Sequence, residues 1–387
     1  MSRWRTAITA TVIVALMAGF GAGVNRYLAS TDSPAFASAK NPTQDRVAAQ
    51  IALPGTIYFA DGGGLFALTG TKVTQLQPEG HGWTEPVLIP GGVGLLAVKV
   101  TPNYYSDLYQ LSLTGSIERQ LSHDSGKVTA TAVGADDWIY YPAIGSDGTL
   151  YFSYDWPKGN VDDPSQCCYQ VDFSIWKTAL GTDIDRANVE QGNGITQESW
   201  ANYYTGGDVS PVPLIGGGLI YVDYEAAYQS DQVSTPLPGA VPGTEVSQIR
   251  MDPRPIDGSS TADGTPLTPP QDDCAQPALS PDQTEIAMIC TPVVNGAPSS
   301  TESDLVVASF DAQTGTIGPL DRVVTGTMAA SPAWSPDGSS LLYLGPETGN
   351  GYFELWYLKG AATAAPSKPE QITNDLDLDG SAPVWTS

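Results

Sequence analysis

Ser331-Pro-Ala-Trp-Ser-Pro-Asp-Gly-Ser-Ser-Leu-Leu-Tyr-Leu344 reads as a strand, a tight turn and a second strand that is apolar on both faces. Pro and Asp pre-set such a turn, and glycine takes positive φ at little cost. Gln276-Pro-Ala-Leu-Ser-Pro-Asp-Gln-Thr-Glu-Ile-Ala-Met-Ile289 aligns with it without a gap, as does Glu85-Pro-Val-Leu-Ile-Pro-Gly-Gly-Val-Gly-Leu-Leu-Ala-Val98. Tyr141-Pro-Ala-Ile-Gly-Ser-Asp-Gly-Thr-Leu-Tyr-Phe152 and Ser210-Pro-Val-Pro-Leu-Ile-Gly-Gly-Gly-Leu-Ile-Tyr221 align with one residue fewer after the turn. An internal repeat of this kind identifies one supersecondary unit used many times over.

Working outward, a third strand is predicted over 108–113, 175–180, 246–251, 305–310 and 354–358. A fourth ends near Leu121-Ser122, Ile195-Thr196, Leu267-Thr268 and Ile372-Thr373. Four antiparallel strands per repeat make a propeller blade. The remaining blade is split: 381–387 is a lone first strand, while 56–60, 65–68 and 72–76 supply the other three. The repeat prolines are then Pro86, Pro142, Pro211, Pro277, Pro332 and Pro383, one per blade. The expected fold is an all-β, six-bladed propeller over residues 55–387. Pairing of its C-terminal strand with the N-terminal strands closes it and leaves no blade edge open.

Pro332-Ala-Trp-Ser-Pro-Asp-Gly338, with the apolar strand after it and the closing Ile372-Thr373, resembles the repeat of TolB-type propellers. The resemblance covers about residues 55–387, with the full motif in the last blade only, and it implies fold more than function. Proteins of the TolB type carry an α/β domain ahead of the propeller. Here a linker, 31–54, stands in that place, so the partners of the Tol–Pal envelope system are not implied.

The sequence before the linker reads as a hydrophobic helix within residues 1–30. Arg3 and Arg5 lead into an apolar run over 7–24, long enough for about 27 Å of helix. It is either a long signal peptide or a short membrane anchor. Ala37-Ser38-Ala39 resembles a cleavage site but lies far from the run, which tilts the reading toward an anchor. The positive-inside rule places everything after Arg26 outside the cytoplasm. Gly19 and Gly23 have GxxxG spacing, a weak hint of helix pairing.

All four cysteines, Cys167, Cys168, Cys274 and Cys290, belong to the exported part, where disulfides form. Cys274 and Cys290 stand eight residues either side of Asp282, at the turn of their hairpin, so a disulfide is expected there. A bulge in that turn would shift the register and spoil it. Cys167-Cys168 is either two thiols or an adjacent-residue disulfide.

From Asp32 onward, 14 basic residues face 42 acidic ones, a net −28. Such a surface repels nucleic acid and favours cations, basic partners or neutral ligands. The long loops between second and third strands, and between blades, share one face of the ring, where binding residues concentrate. They carry Tyr104, Tyr105, Trp156, Trp200, Tyr203, Tyr204 and Asp208. Aromatic rings among carboxylates suit glycans, basic peptides or a protein surface. Asp375-Leu-Asp377-Leu-Asp379-Gly380 has the alternating-carboxylate spacing of a calcium loop, although its twelfth position is Thr386 rather than a glutamate. The stretch reads either as a calcium site or as a plain acidic loop between blades, and no cofactor other than calcium is suggested. His81 and His123 lack any close metal-ligand spacing. No GxSxG elbow and no glycine-rich phosphate loop occur. The function expected is a binding or scaffolding module at the cell envelope, for an envelope protein or an extracellular glycan or peptide. The alternative is a propeller enzyme, either a sugar lyase or a quinone- and calcium-dependent dehydrogenase.

Overall fold

The computed structural model describes residues 52–102, 105–123, 138–155, 173–185, 188–189, 192–199, 207–226, 244–253, 264–347, 352–363, 365–374, 376 and 378–387. These form six antiparallel sheets arranged as the blades of a propeller. β1 (Leu53–Asp61), β2 (Gly64–Gly70) and β3 (Lys72–Gln77) belong to blade 1. Blade 2 is β4 (Trp83–Leu88), β5 (Leu95–Val100), β6 (Ser106–Leu111) and β7 (Ile117–Gln120). Blade 3 is β8 (Ile139–Ile144), β9 (Thr149–Tyr154), β10 (Ser174–Ala179) and β11 (Ile195–Gln197). Blade 4 is β12 (Asp208–Pro213), β13 (Leu219–Ala226), β14 (Glu245–Asp252) and β15 (Thr265–Pro266). Blade 5 starts with β16 (Cys274–Leu279) and β17 (Glu285–Cys290), then makes a small hairpin of β18 (Val293–Val294) and β19 (Ala297–Pro298). It continues with β20 (Asp304–Asp311), which pairs with both β21 (Thr316–Ile317) and β22 (Asp321–Val324). Blade 6 is β23 (Ala330–Trp334), β24 (Ser340–Pro346), β25 (Phe353–Lys359) and β26 (Glu370–Gln371). β27 (Val384–Thr386) then pairs with β1, setting Ile57 opposite Trp385 and Tyr58 opposite Val384.

The second strands are apolar at most positions because a neighbouring blade covers each face. Leu96, Val98 and Leu108 of blade 2 meet Ile139, Leu150 and Phe152 of blade 3. Ile220, Val222 and Ile249 of blade 4 meet Ile286, Met288 and Val306 of blade 5. Ile57, Phe59 and Phe66 of blade 1 meet Leu342, Leu344 and Leu355 of blade 6. Blades 3 and 4 meet through a smaller cluster, Tyr151, Ile175, Leu219 and Tyr221. Ion pairs lie in these same two sheets: Lys177 with Glu198 at 2.9 Å and Arg250 with Asp223 at 2.6 Å.

The Ser-Pro-Asp-Gly turn is held by its own side chains. Asp337 accepts from Ser335 Oγ at 2.6 Å and Ser339 N at 3.0 Å, and Asp282 accepts from Ser280 Oγ at 2.7 Å and Thr284 N at 3.2 Å. The serine hydroxyls hold both carboxyls below their ordinary range. The residues that close each repeat also have a physical role. Leu108 N donates to Ser122 Oγ at 3.0 Å, Ile249 N to Thr268 Oγ1 at 2.9 Å and Leu355 N to Thr373 Oγ1 at 2.8 Å. A hydroxyl just beyond the fourth strand thus ties it to the third. In blade 3 the equivalent residue is Ser199, which accepts from Ile175 N at 3.0 Å. Ile195-Thr196 instead lies inside β11, which corrects the sequence alignment of that blade by three residues.

Cys274 and Cys290 form a disulfide. The expected pairing is present, but it depends on a bulge rather than on the absence of one. Leu279 pairs Ile286 and Ala278 pairs Ala287, a register that would set Cys274 opposite Thr291. The extra residue at Gln276-Pro277 moves the register by one and places Cys274 opposite Cys290.

At the chain ends Trp385 is buried, its Nε1 donates to Pro54 O at 2.8 Å, and its ring stands edge-on to Tyr357. Gly55, at φ +80°, passes so close to Thr386 O that a Cβ there would collide with it. Trp385→Ala is expected to destabilise the protein by about 3–5 kcal/mol, the usual cost of truncating a buried tryptophan. Urea melts of the two proteins measure this.

Candidate functional site

Five of the inner strands carry a repeat proline, which has no N–H to offer a ladder and is confined to edges and bulges. In β4, β8, β12, β16 and β23 the residue before that proline takes positive φ: Glu85 (49°), Tyr141 (53°), Ser210 (54°), Gln276 (52°) and Ser331 (51°). The register of each strand slips at the same point. Each of these five strands therefore holds one residue more than its partner, and the bulged residues and their prolines, with Gly380–Ala382, line a cavity on the axis. Its volume is about 160 Å³. The sixth proline, Pro383, precedes β27, which pairs without a slip.

Two of the bulged side chains reach the next blade. Glu85 Oε2 accepts from Tyr141 N at 2.5 Å, and Gln276 Oε1 accepts from Ser331 N at 2.7 Å. Blades 2 and 5 stand opposite each other in the ring, so the same cap occurs twice, once from a carboxylate and once from an amide. Ser331 Oγ donates onward to Gly380 O.

The axial cavity opens at one end into a mouth of about 640 Å³. Gly63 and Val100 at second-to-third-strand loops, Gly82 and Asp379 at blade connections, and Tyr140, Tyr141 and Phe173 line it together with Glu85 and Gln276. Tyr140 meets Phe173 edge-on at 5.9 Å. Tyr141 is 39% exposed, but to the channel. Burial pushes the Glu85 carboxyl up to about 8, the Tyr141 N–H opposes that rise and the Asp379 charge adds to it. Burial, then the Glu85 charge, raises the phenols of Tyr140 and Tyr141. Among the described residues no lysine, arginine or histidine lines either cavity. A second hollow of about 450 Å³ lies on the same face, among Ser247, Asp273, Met328 and Phe353. There Ser247 N donates to Asp273 Oδ1 at 2.6 Å, and burial raises the Asp273 carboxyl.

Of the residues expected on this face, Tyr105 packs its ring on Trp138 at 4.9 Å, while its carbonyl accepts from Thr101 N. Asp208 opens β12, is buried, and is among the charges that raise the Tyr221 phenol. Tyr104, Trp156, Trp200, Tyr203 and Tyr204 lie outside the described residues, as do Cys167, Cys168 and the apolar run over 7–24. Of the acidic loop, Asp375 and Asp377 lie outside them, and Asp379 Oδ1 accepts from Ser381 N at 3.0 Å and Ser381 Oγ at 2.7 Å. His81 and His123 are exposed. Among the described residues no group of three or more His, Cys, Asp or Glu is placed to hold a metal ion, and no helix is long and apolar enough to cross a membrane. Sequence reasoning missed Glu85, Tyr141 and Gln276. Their signal was present, since the position before each repeat proline is polar or aromatic, never aliphatic, in the five bulged strands.

No family model matches the chain, and no curated protein matches it in sequence. Solved structures do match in fold. TolB from Acinetobacter baumannii superposes with a TM-score of 0.54 at 15% identity, over 86% of this chain and 66% of that one. Hydrazine synthase of Kuenenia stuttgartiensis superposes with a TM-score of 0.51 at 12% identity, over 87% of this chain and 48% of that one. The chain thus spans just under two thirds of the TolB structure and about half of the other. The fold is that of a TolB-like six-bladed propeller.

A raised folded pKa means that the fold favours the neutral carboxyl, so stability falls as pH rises from the ordinary glutamate range toward 8. Among the described residues the groups facing Glu85 are Tyr140, Tyr141 and Asp379, none of them a cation. Glu85→Gln keeps an acceptor for Tyr141 N. It is expected to raise the melting temperature at pH 8 by more than at pH 4.5. Thermal melts at the two pH values read the difference.

Proposed function

We propose that this propeller is an extracytoplasmic binding or scaffolding module that takes its partner at the mouth of the axial channel. The observation that carries the reading is the mouth itself. It is a hollow at the end of the axis, among the loops of one face, with two carboxylates, aromatic walls and, among the described residues, no basic one. Hollows with a few convergent polar groups on a rigid scaffold are the usual form of a binding site. Export is supported by the Cys274–Cys290 disulfide, which needs an oxidising compartment to persist, and by the apolar run read in the sequence. The partner class is an envelope protein or an extracellular peptide or glycan. In this reading the strand at the C-terminus is what closes the ring and keeps the mouth in shape.

A photo-cross-linking amino acid at His81, on the loop face, is compared with one at Val93, in the turn at the opposite end of the same blade. On intact cells, adducts are expected from position 81 and none from position 93. Equal capture at both positions, or none at 81, contradicts the reading.

A further inference from the structure

Glu85 and Gln276 do one structural job. Each reaches from its bulge to cap the N–H of the bulged residue in the next blade, at 2.5 and 2.7 Å. Blade 5 therefore demonstrates that an amide is enough for the cap. The charge at position 85 is surplus to the fold, and it is costly: burial and the Asp379 charge both disfavour it. A buried charge is retained where something compensates it. Among the described residues only the Tyr141 N–H does so, and no cation faces it. Asp379 Oδ1 is engaged only by Ser381, and the lysine opposite Trp83 in the sheet, Lys99, is held over the rings of Trp83 and Tyr109 at 5.1 and 5.8 Å.

The surroundings specify which cation would fit. A hard divalent ion favours several carboxylates converging on a point, and among the described residues no group of three or more His, Cys, Asp or Glu is placed to hold one. What surrounds Glu85 instead is the aromatic edge of Tyr140, Tyr141 and Phe173 above and a wall of prolines below. Aromatic faces attract organic cations, and an apolar throat suits an alkyl stem. Resting on the binding reading above, we propose that the axial site takes a primary ammonium or guanidinium group on an apolar stem, seated against Glu85 and Asp379. The group comes either as a lysine or arginine side chain of a partner or as a free alkylamine. The exported chain's net −28 would draw such a group in.

The test is calorimetric titration of the full chain at pH 8.5 with n-butylammonium, uncharged n-butanol, calcium chloride and the peptide tetralysine. Saturable binding of n-butylammonium and not of n-butanol is expected. Glu85→Gln should weaken it by about tenfold or more while melting no lower than wild type, and Asp379→Asn should weaken it severalfold. Tetralysine binding more tightly than n-butylammonium assigns the group to a peptide; weaker binding assigns it to a free amine. Equal binding of n-butylammonium by a folded Glu85→Gln protein overturns the proposal, as does a response to calcium alone. If no cation binds yet cross-linking at position 81 persists, this inference fails and the binding reading stands. If cations bind and position 81 captures nothing, the reverse holds.

Discussion

The structure depends on a backbone constraint at five places: a residue held at positive φ immediately before a proline, in the strand nearest the axis. Side chains other than glycine resist that conformation, and residues before proline favour extended backbone, so each position is strained twice over. Three features follow from it. The bulge gives the inner strand one residue too many to pair, which ends its usefulness as an aggregation-prone edge. It turns Glu85, Tyr141, Ser210, Gln276 and Ser331 to the channel. It also sets the register that brings Cys274 opposite Cys290.

Local strain of this kind persists only where surrounding structure over-determines it. Here that structure is the packed faces between blades, with Leu96, Phe152, Ile220, Ile286 and Leu342 among the most deeply buried residues. The same arrangement sets polar side chains beside the prolines of the axial cavity. Because Glu85 and Gln276 cap equivalent N–H groups from opposite blades, their difference isolates one negative charge from any structural need for it.

The architecture was legible because its turns and apolar strands repeat. Pro-Asp-Gly chemistry, continuous second strands and the column of prolines are local signals, and each is read without knowing its neighbours. The channel was not legible in the same way. Glu, Tyr, Ser and Gln before proline all read as extended strand, and only tertiary packing forces positive φ on them. The alignment of blade 3 failed for a related reason: Ile195-Thr196 imitates the closing pair, while the hydroxyl that bonds the third strand belongs to Ser199. The disulfide was foreseen from symmetry about Asp282, yet its register comes from a bulge that the spacing does not reveal. Of the aromatic loops read as a binding face, the described residues include only Tyr105, which packs on Trp138, and Asp208, which is buried at the start of β12.

The sign of a single substitution tests the constraint most directly. Ser210 takes φ 54° and its side chain makes no hydrogen bond among the described residues, so Ser210→Gly removes little except the backbone restriction. With the bulge as described, the variant gains about 1 kcal/mol in a urea melt, because glycine is free of the left-handed penalty. An ordinary extended strand at this position would instead lose about 0.5–1 kcal/mol on the same change, and that loss would contradict the account.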